Sequence, residues 1–265
     1  MSRVEQVFAK GKALIPFITA GDPDLETTEK LVLAMARAGA DLIELGIPFS
    51  DPVAEGPVIQ LASERALQAG ATTDKILALV SRVRTESDVP LAFMTYINPV
   101  FAYGIDRFMQ DSREAGVDAL IIPDLPFEER EEIIPYCSQY GIELISMIAP
   151  TSRERIRMIA REARGFVYCV SSLGVTGVRE QISTELDKMV KMVKEVQDIP
   201  CAVGFGISSP EQAQQISQTA DGVIVGSAIM QIVEQFGVES VSPVAAFVRE
   251  MKQSIITAGV EEPVQ

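Results

Sequence analysis

The chain has 265 residues, of which 47% are hydrophobic, and its net charge at pH 7 is −14. This length suits one barrel-sized domain or two smaller ones, and the excess of acid argues against nucleic acid or an anionic membrane surface as a partner. The N-terminal residues lack the apolar segment of a signal peptide and no apolar run reaches membrane length, so we expect neither a secreted nor a membrane protein.

Short apolar strands alternate with amphipathic helices along the chain. The pattern predicts strands over residues 14–18, 41–45, 90–96, 119–122, 142–148, 166–170, 201–203 and 223–225. It predicts helices over 25–38, 57–70, 74–85, 105–115, 127–139, 153–161, 184–196, 210–217, 228–235 and 244–256. The segment 98–104 between the third strand and its helix contains Asn98-Pro99 and is predicted to be a loop.

Eight such strand–helix units average about 33 residues each, a usual size for a β–α unit. Eight apolar strands that alternate with helices favour a closed barrel over an open sheet. We therefore predict an α/β fold, a (β/α)8 TIM barrel, as a single domain over residues 1–265. Residues 2–9 are predicted to form a short extra N-terminal helix that closes the bottom of the barrel.

The second predicted strand carries a glutamate, Glu44, at its carboxyl end, and Asp51 and Glu55 follow on a loop rich in proline and glycine. A buried carboxylate without a cation beside it is costly, so such a residue needs an explanation. Glu44 could cap a neighbouring backbone or pair with a loop arginine. Alternatively, the three acids could form the centre of an active site, and these residues alone leave the two interpretations about equally weighted.

Two absences restrict the chemistry. The chain has no histidine, which excludes imidazole catalysis and the usual zinc sites. None of its eight lysines follows an apolar strand, which argues against a Schiff base. Carboxylates, hydroxyl groups and backbone amides must therefore carry any reaction. The three cysteines form no C-x-x-C pair and are interpreted as reduced core residues of a cytoplasmic protein.

Glycine-rich loops follow the last three strands. Those at 204–208 and 226–229 lie where a barrel binds phosphate, and their backbone amides and helix starts can hold an anion without a lysine or arginine. We favour phosphate binding over simple tight turns. The longer loop at 171–179 is either a solvated connection or a lid that closes over the site.

Five segments together resemble the alpha subunit of tryptophan synthase over nearly the whole chain. They are FITAGDP at 17–23, ELGIPFSDP at 44–52, GVTGV at 174–178, GFGIS at 204–208 and GSAI at 226–229. The resemblance implies a lyase of tryptophan biosynthesis that cleaves indole-3-glycerol phosphate by a retro-aldol reaction, giving indole and glyceraldehyde 3-phosphate. It implies no cofactor and no metal. It also implies a beta-subunit partner in an alpha2beta2 heterotetramer, contacted through the loops after strands two, three and six.

The resemblance also assigns roles to individual residues. Glu44 would be the principal acid/base, and Glu55 would be the second carboxylate, acting on the indole N–H. The remaining assignments are substrate-binding Phe17, Tyr96, Tyr168, Thr176, Gly177 and Phe205, of which Thr176 and Gly177 belong to the lid, and phosphate-binding Gly206, Gly226 and Ser227.

Glu55 departs from the family pattern, in which the second carboxylate is an aspartate. The charge is kept, but the side chain is one methylene longer, and a small misplacement can reduce the rate by orders of magnitude. This departure keeps an alternative open, a non-catalytic regulatory subunit that binds the phosphate ligand and activates a beta partner. A third interpretation, another phosphate-binding barrel enzyme, lacks the acid/base and lysine residues it would need at strand ends.

Overall fold

The computed structural model describes residues 2–170, 179–204 and 206–257. Its strands are β1 (Ala13–Thr19), β2 (Ile43–Gly46), β3 (Leu91–Met94), β4 (Ala119–Ile121), β5 (Glu143–Leu144), β6 (Ser146–Ile148), β7 (Val167–Val170), β8 (Cys201–Gly204) and β9 (Gly222–Val225). Every pairing is parallel, and the strands follow the order β5-β4-β3-β2-β1-β9-β8-β7-β6. The predicted α/β barrel is confirmed.

The fifth predicted strand is divided into β5 and β6 at Ile145. β5 pairs only with β4 and β6 pairs only with β7, while the N–H of Ile145 donates to the carbonyl of Leu120 at 2.9 Å. One stretch of chain therefore lies between β4 and β7 and brings the two ends of the sheet together. The sequence predicts one strand here because the apolar run is continuous. In the structure the first part of this run pairs with β4 and the last part pairs with β7.

Twelve α-helices surround the strands in the described part of the chain. They are α1 (Arg3–Phe8), α2 (Leu25–Ala38), α3 (Pro57–Gln68), α4 (Thr73–Val83), α5 (Ile97–Tyr103), α6 (Ile105–Ala115), α7 (Ile134–Tyr140), α8 (Arg153–Glu162), α9 (Arg179–Lys194), α10 (Pro210–Ser217), α11 (Ser227–Phe236) and α12 (Val241–Thr257). Short 3-10 turns cover Arg130–Glu132 and Gly237–Glu239. None of the helices described is long and apolar enough to cross a membrane.

Three helices differ clearly from the prediction, and one of them, α9, begins at Arg179 instead of residue 184. The loop expected at 98–104 instead forms most of α5. Pro99 is tolerated there because it lies in the first turn, where its missing N–H has no helical partner to lose. The helix expected over 127–139 begins only at Ile134. Pro135 has no N–H to donate to the carbonyl four residues earlier, and its ring would clash with that carbonyl. It is therefore tolerated in the first turn of α7, and a 3-10 turn precedes the helix.

The N-terminal helix α1 closes the bottom of the barrel, as predicted. Ser2 and Glu5 form a capping box at its start, and Val4 and Val7 are buried. The ring of Phe8, its last residue, packs 5.4 Å from the ring of Phe166 at the amino end of β7. The helix therefore covers the end of the barrel opposite to the predicted site.

Three aspartates strengthen this lower end. Each lies just before a strand or one residue earlier and accepts a backbone N–H from the neighbouring strand, and each also pairs with a cation. The pairs are Asp41 with Leu14 N–H and Lys252, Asp118 with Leu91 N–H and Arg84, and Asp221 with Cys201 N–H and Lys194. The residues at the carboxyl ends of the strands are left available for chemistry.

The described residues share one continuous hydrophobic core, and the extent of the domain over 1–265 stays a prediction.

Candidate active site

Glu44 lies on β2 beside Phe17 of β1, its partner in the parallel register. Its side chain is fully buried, and neither carboxylate oxygen has a hydrogen-bond partner among the described residues. Burial raises the pKa of Glu44 to about 8. Neither a backbone cap nor an ion pair with an arginine holds this carboxyl in the described part of the chain. The described residues therefore do not support the interpretation of Glu44 as a backbone cap or an ion-pair partner.

A cavity of about 920 Å³ opens at the carboxyl ends of the strands, and Glu44 forms part of its wall. Seven of the predicted site residues line it: Phe17, Glu44, Glu55, Tyr168, Gly206, Gly226 and Ser227. Its other lining residues include Met94, Ile122, Asp124, Ile145 and Ile224. Thr176, Gly177 and Phe205 lie outside the described residues. The cavity is thus mainly apolar, with two glutamates and one aspartate as its acidic groups within the described residues.

Tyr168 adjoins Glu44 on the cavity wall. It is buried, and both burial and the nearby charge of Glu44 raise the pKa of its hydroxyl well above the ordinary value. Gly204 on the neighbouring strand leaves room for its ring, since an added Cβ there would lie only 2.8 Å from the ring atom Cζ. Similarly, a Cβ on Gly46 would lie 2.6 Å from Cζ of Phe17. These two glycines allow large aromatic rings to flank Glu44.

Glu55 is half-buried on the loop between β2 and α3. The hydroxyl of Tyr96 donates a hydrogen bond to its carboxylate and accepts one from the N–H of Ala54 at 3.0 Å. Burial is the main cause that raises the pKa of Glu55 above its ordinary value; the carboxylate of Asp124 adds to the rise, and the bond from Tyr96 opposes it. The second carboxylate is therefore anchored, whereas Glu44 is not.

Tyr96 occupies a different place from the one expected. It is 2% exposed and is absent from the cavity lining, and its ring packs 5.4 Å from that of Phe49. Its contact is with Glu55, so it supports a site residue instead of forming the wall. Asp124, in contrast, lines the cavity and accepts the N–H of Ile97 at 3.0 Å. From the sequence alone, the segment Pro123-Asp124-Leu125-Pro126 is interpreted as a possible simple turn. Its position at the end of the fourth strand is the one feature that could have indicated a site residue.

The corner of the cavity expected to bind phosphate is formed by Gly206, Gly226 and Ser227. Gly206 has a φ of +76°, which favours glycine, and Gly226 is the N-cap of α11 with no side-chain cap. The first N–H groups of a helix lack intrahelical partners and face outward, which suits an anion. Among the described lining residues the only cations are Arg130 and Arg155, and each is ion-paired, with Glu162 and Glu128 respectively.

No group of three or more cysteine, aspartate or glutamate side chains in the described residues is arranged to hold a metal ion. The site instead presents a buried, protonatable carboxyl, a second anchored carboxylate and a helix start for an anion. Such an arrangement can transfer protons beside a bound anion.

Comparison with known proteins identifies the family. The sequence profile of the tryptophan synthase alpha chain matches residues 5–256. The chain belongs to the tryptophan synthase alpha chain family. It is 48% identical over 260 residues to the tryptophan synthase alpha chain of Thermoanaerobacter sp. (strain X514), covering 96% of this chain and 99% of that one. It is 50% identical to that of Geotalea uraniireducens (strain Rf4), with 98% and 100% covered.

Solved structures of tryptophan synthase alpha chains have the same fold. The subunit from Legionella pneumophila str. Paris superposes with a TM-score of 0.88 at 39% identity, covering 97% of this chain and 99% of that chain. A chain in the aminoacrylate-bound tryptophan synthase of M. tuberculosis gives a TM-score of 0.86 at 34% identity, covering 96% and 100%. The resemblance seen in the sequence is confirmed. A non-catalytic regulatory subunit is not favoured for a tryptophan synthase alpha chain matched at this coverage.

Proposed function

We propose that the chain cleaves indole-3-glycerol phosphate at this cavity, with Glu44 as the acid/base and Glu55 as the second carboxylate. The observation that carries the assignment is the fully buried Glu44 carboxyl on the cavity wall, whose pKa burial raises to about 8. At neutral pH a carboxyl group with this pKa is largely protonated. A carboxylic acid that holds its proton near the working pH is suited to general acid catalysis.

The reaction requires two proton transfers: one to C3 of the indole, and one from the hydroxyl group on the adjacent side-chain carbon. Protonated Glu44 donates its proton to C3 of the indole, which leaves a positive charge delocalised over C2 and the ring nitrogen. The Glu44 carboxylate then removes the proton of the side-chain hydroxyl. The bond between C3 and the side chain breaks, its electron pair restores the aromatic ring, and the hydroxyl carbon becomes an aldehyde. Glu44 ends the cycle protonated, so one group serves both steps.

Glu55 acts on the indole N–H. As the ring becomes positively charged, the N–H becomes more acidic and its hydrogen bond to a carboxylate strengthens. Glu55 therefore stabilises the charged intermediate more than the substrate, which is the condition for accelerating the reaction. Its bond to the Tyr96 hydroxyl favours the carboxylate form that this role needs.

The phosphate is proposed to bind at Gly206, Gly226 and Ser227, through backbone N–H groups and the Ser227 hydroxyl. This assignment explains how a chain of net charge −14 can hold a phosphate. The two arginines on the wall already have carboxylate partners. Phe17 and Tyr168 would enclose the indole ring beside Glu44, as would Phe205, Thr176 and Gly177 beyond the described residues.

Membership in the family makes this chain the alpha subunit of a tryptophan biosynthetic enzyme whose partner is the beta subunit. We propose an alpha2beta2 heterotetramer in which the loops after β2, β3 and β7 face the partner. A cytoplasmic location is proposed as well, in agreement with three buried cysteines that form no disulfide.

Turnover by the isolated chain tests the proposal. Indole and glyceraldehyde 3-phosphate released from indole-3-glycerol phosphate are measured for the parent and for Glu44→Gln, together with the affinity of each for glycerol 3-phosphate. The substitution keeps the size of the side chain but cannot cycle a proton, so kcat should fall by about 10³-fold or more while the affinity stays nearly unchanged. A Glu44→Gln variant that kept most of its kcat would show that Glu44 is not the acid/base.

A further inference from the structure

The hydroxyl of Tyr96 connects two adjacent residues of the loop after β2. It donates a hydrogen bond to the Glu55 carboxylate and accepts one from the backbone N–H of Ala54 at 3.0 Å. A single hydroxyl group therefore fixes both the backbone of the loop and the end of the side chain that follows. Both hydrogen-bonding functions of the hydroxyl are used in these two contacts.

Tyr96 is itself rigidly placed. It follows β3 and is the N-cap residue of α5, with its side chain almost completely buried. Its ring packs against Phe49, which lies on the loop after β2 that also carries Glu55, with the ring centroids 5.4 Å apart. The next residue, Ile97, donates its N–H to Asp124 at 3.0 Å, which ties the start of α5 to the end of β4. The hydroxyl thus projects from a packed scaffold toward Glu55 without reaching the cavity wall.

A glutamate has one more rotatable bond than an aspartate, so its carboxylate can occupy more positions unless something holds it. Catalytic groups must be kept within about 0.5 Å of their working geometry by neighbouring groups. Glu55 is half-buried and faces the cavity, and the only side chain among the described residues that forms a hydrogen bond with its carboxylate is Tyr96.

We propose that Tyr96 is a positioning residue, whose hydroxyl sets the reach of the Glu55 carboxylate and so accommodates glutamate at this place in the site. This inference rests on the proposed function of Glu55 and extends it to a residue that does not touch the substrate. It also replaces the expectation that Tyr96 lines the substrate pocket.

The groups that surround Glu55 determine what loss of the hydroxyl would do. Asp51 lies on the same loop and is exposed, Asp124 faces Glu55 from the end of β4, and Glu44 lies on the cavity wall. All three are acids, so the contacts that favour the charged form of Glu55 are the hydrogen bond from Tyr96, which has the larger effect, and one from the backbone N–H of Glu55 itself. Without the Tyr96 hydrogen bond, the pKa of Glu55 should rise and its carboxylate should lose a fixed position.

The test is a double-mutant cycle on the isolated chain with Tyr96→Phe, Glu55→Asp and both together. Tyr96→Phe keeps the buried ring and removes only the hydroxyl. Its kcat should fall by about 10- to 100-fold with KM within about threefold of the parent, since geometry is lost and binding is not. The limb of the pH profile that reports Glu55 ionisation should move to higher pH. Tyr140→Phe is the matched control, because it removes a hydroxyl that bonds to Asp106 at 2.8 Å outside the cavity, and it should leave kcat and the pH profile unchanged.

Glu55→Asp breaks the same contact from the other side, and it serves equally if Tyr96→Phe fails to fold. It should lower kcat, and the kcat of the double variant should lie within about threefold of that of the more impaired single variant. An unchanged kcat in either single variant, an unmoved pH profile in Tyr96→Phe, or losses that multiply in the double variant would overturn the inference. Glu44→Gln is measured in parallel. If it is inactive while Tyr96→Phe is fully active, only the positioning role fails and the proposed reaction stands.

Discussion

Phe17 and Glu44 lie side by side on β1 and β2, so a fully buried carboxyl at the mouth of the barrel has an aromatic ring for its neighbour. With no cation or hydrogen-bond donor beside it in the described residues, this carboxyl is more stable protonated. The same apolar setting that makes Glu44 a suitable acid also imposes a penalty on its ionised form. Function and stability are therefore linked at this position.

This linkage predicts how stability depends on pH. The pKa of Glu44 is about 8 in the folded chain against 4.5 for an ordinary glutamate, so between these values the folded state binds the extra proton. Stability contributed by Glu44 is therefore lost as pH rises from about 4.5 to about 8. Glu44→Gln should remove this loss, so that the variant gains on the parent by a few kcal/mol across the window. Urea unfolding at a series of pH values measures the difference.

Exposed Glu64 on α3 provides the matched control. Glu64→Gln changes the net charge by the same amount without touching the cavity, and its difference from the parent should stay nearly constant over the same pH range. A Glu44→Gln variant that behaved like Glu64→Gln would mean that the carboxyl is ionised without penalty.

The role of Glu55 is tested by two substitutions. Glu55→Gln keeps the shape but cannot carry the charge that stabilises the indole N–H, so it should lose most of kcat. Glu55→Asp should also lose activity, because the loop and the Tyr96 hydroxyl are arranged around the longer side chain. Steady-state turnover of indole-3-glycerol phosphate gives both values. Full activity in Glu55→Gln would remove any proton-related role, and a much faster Glu55→Asp would mark the parent as a weakened catalyst.

Phosphate binding is predicted to depend on the start of α11 and not on an arginine. Ser227→Asp places a negative charge where the phosphate is expected, so KM should rise strongly, by about 100-fold or more, with little change in stability. Arg155→Met is the comparison, because Arg155 lines the cavity but is paired with Glu128. Its KM should change by less than about threefold. If Ser227→Asp bound substrate as the parent does, the phosphate would have to lie elsewhere.

Much of this arrangement could be predicted from the sequence because the informative features are local. Alternating apolar strands and helices specify a barrel, and glycine loops after the last strands indicate a corner suited to an anion. Glu44 is predicted to be a site residue because an acid at the end of an apolar strand is unusual. The division of the fifth strand at Ile145 could not be predicted, since it depends on which neighbour each half bonds to.

The supporting residues of the site were harder to predict. Whether Tyr96 faces the cavity or lies behind Glu55 depends on the path of the loop that carries Glu55, 41 residues earlier in the chain, which no periodicity in the sequence reports. Asp124 looked like a turn residue because prolines flank it on both sides at 123 and 126. Its effect on Glu55 arises only when the sheet brings the loop after β4 close to the loop after β2.

Gly204 is predicted to keep Tyr168 in place. An alanine Cβ there would overlap the Tyr168 ring, so Gly204→Ala should displace the ring, lower kcat/KM by about 10- to 100-fold and destabilise the fold by about 1–3 kcal/mol. Gly56→Ala is the control, because Gly56 also lines the cavity and a Cβ on it meets no atom within 4 Å. Activity and urea unfolding of both variants decide the question, and equal effects would mean that the ring contact is unimportant.

The protonation state of Glu44 tests the central claim most directly. Infrared difference spectra of the ligand-free parent against Glu44→Gln should contain the carbonyl band of one protonated carboxylic acid at pH 7. This band should disappear as the pH is raised through about 8, the value that burial gives to the pKa of Glu44. A spectrum without the band at pH 7, or a band that is lost near pH 4.5, would show that Glu44 is an ordinary carboxylate and would contradict its role as the acid.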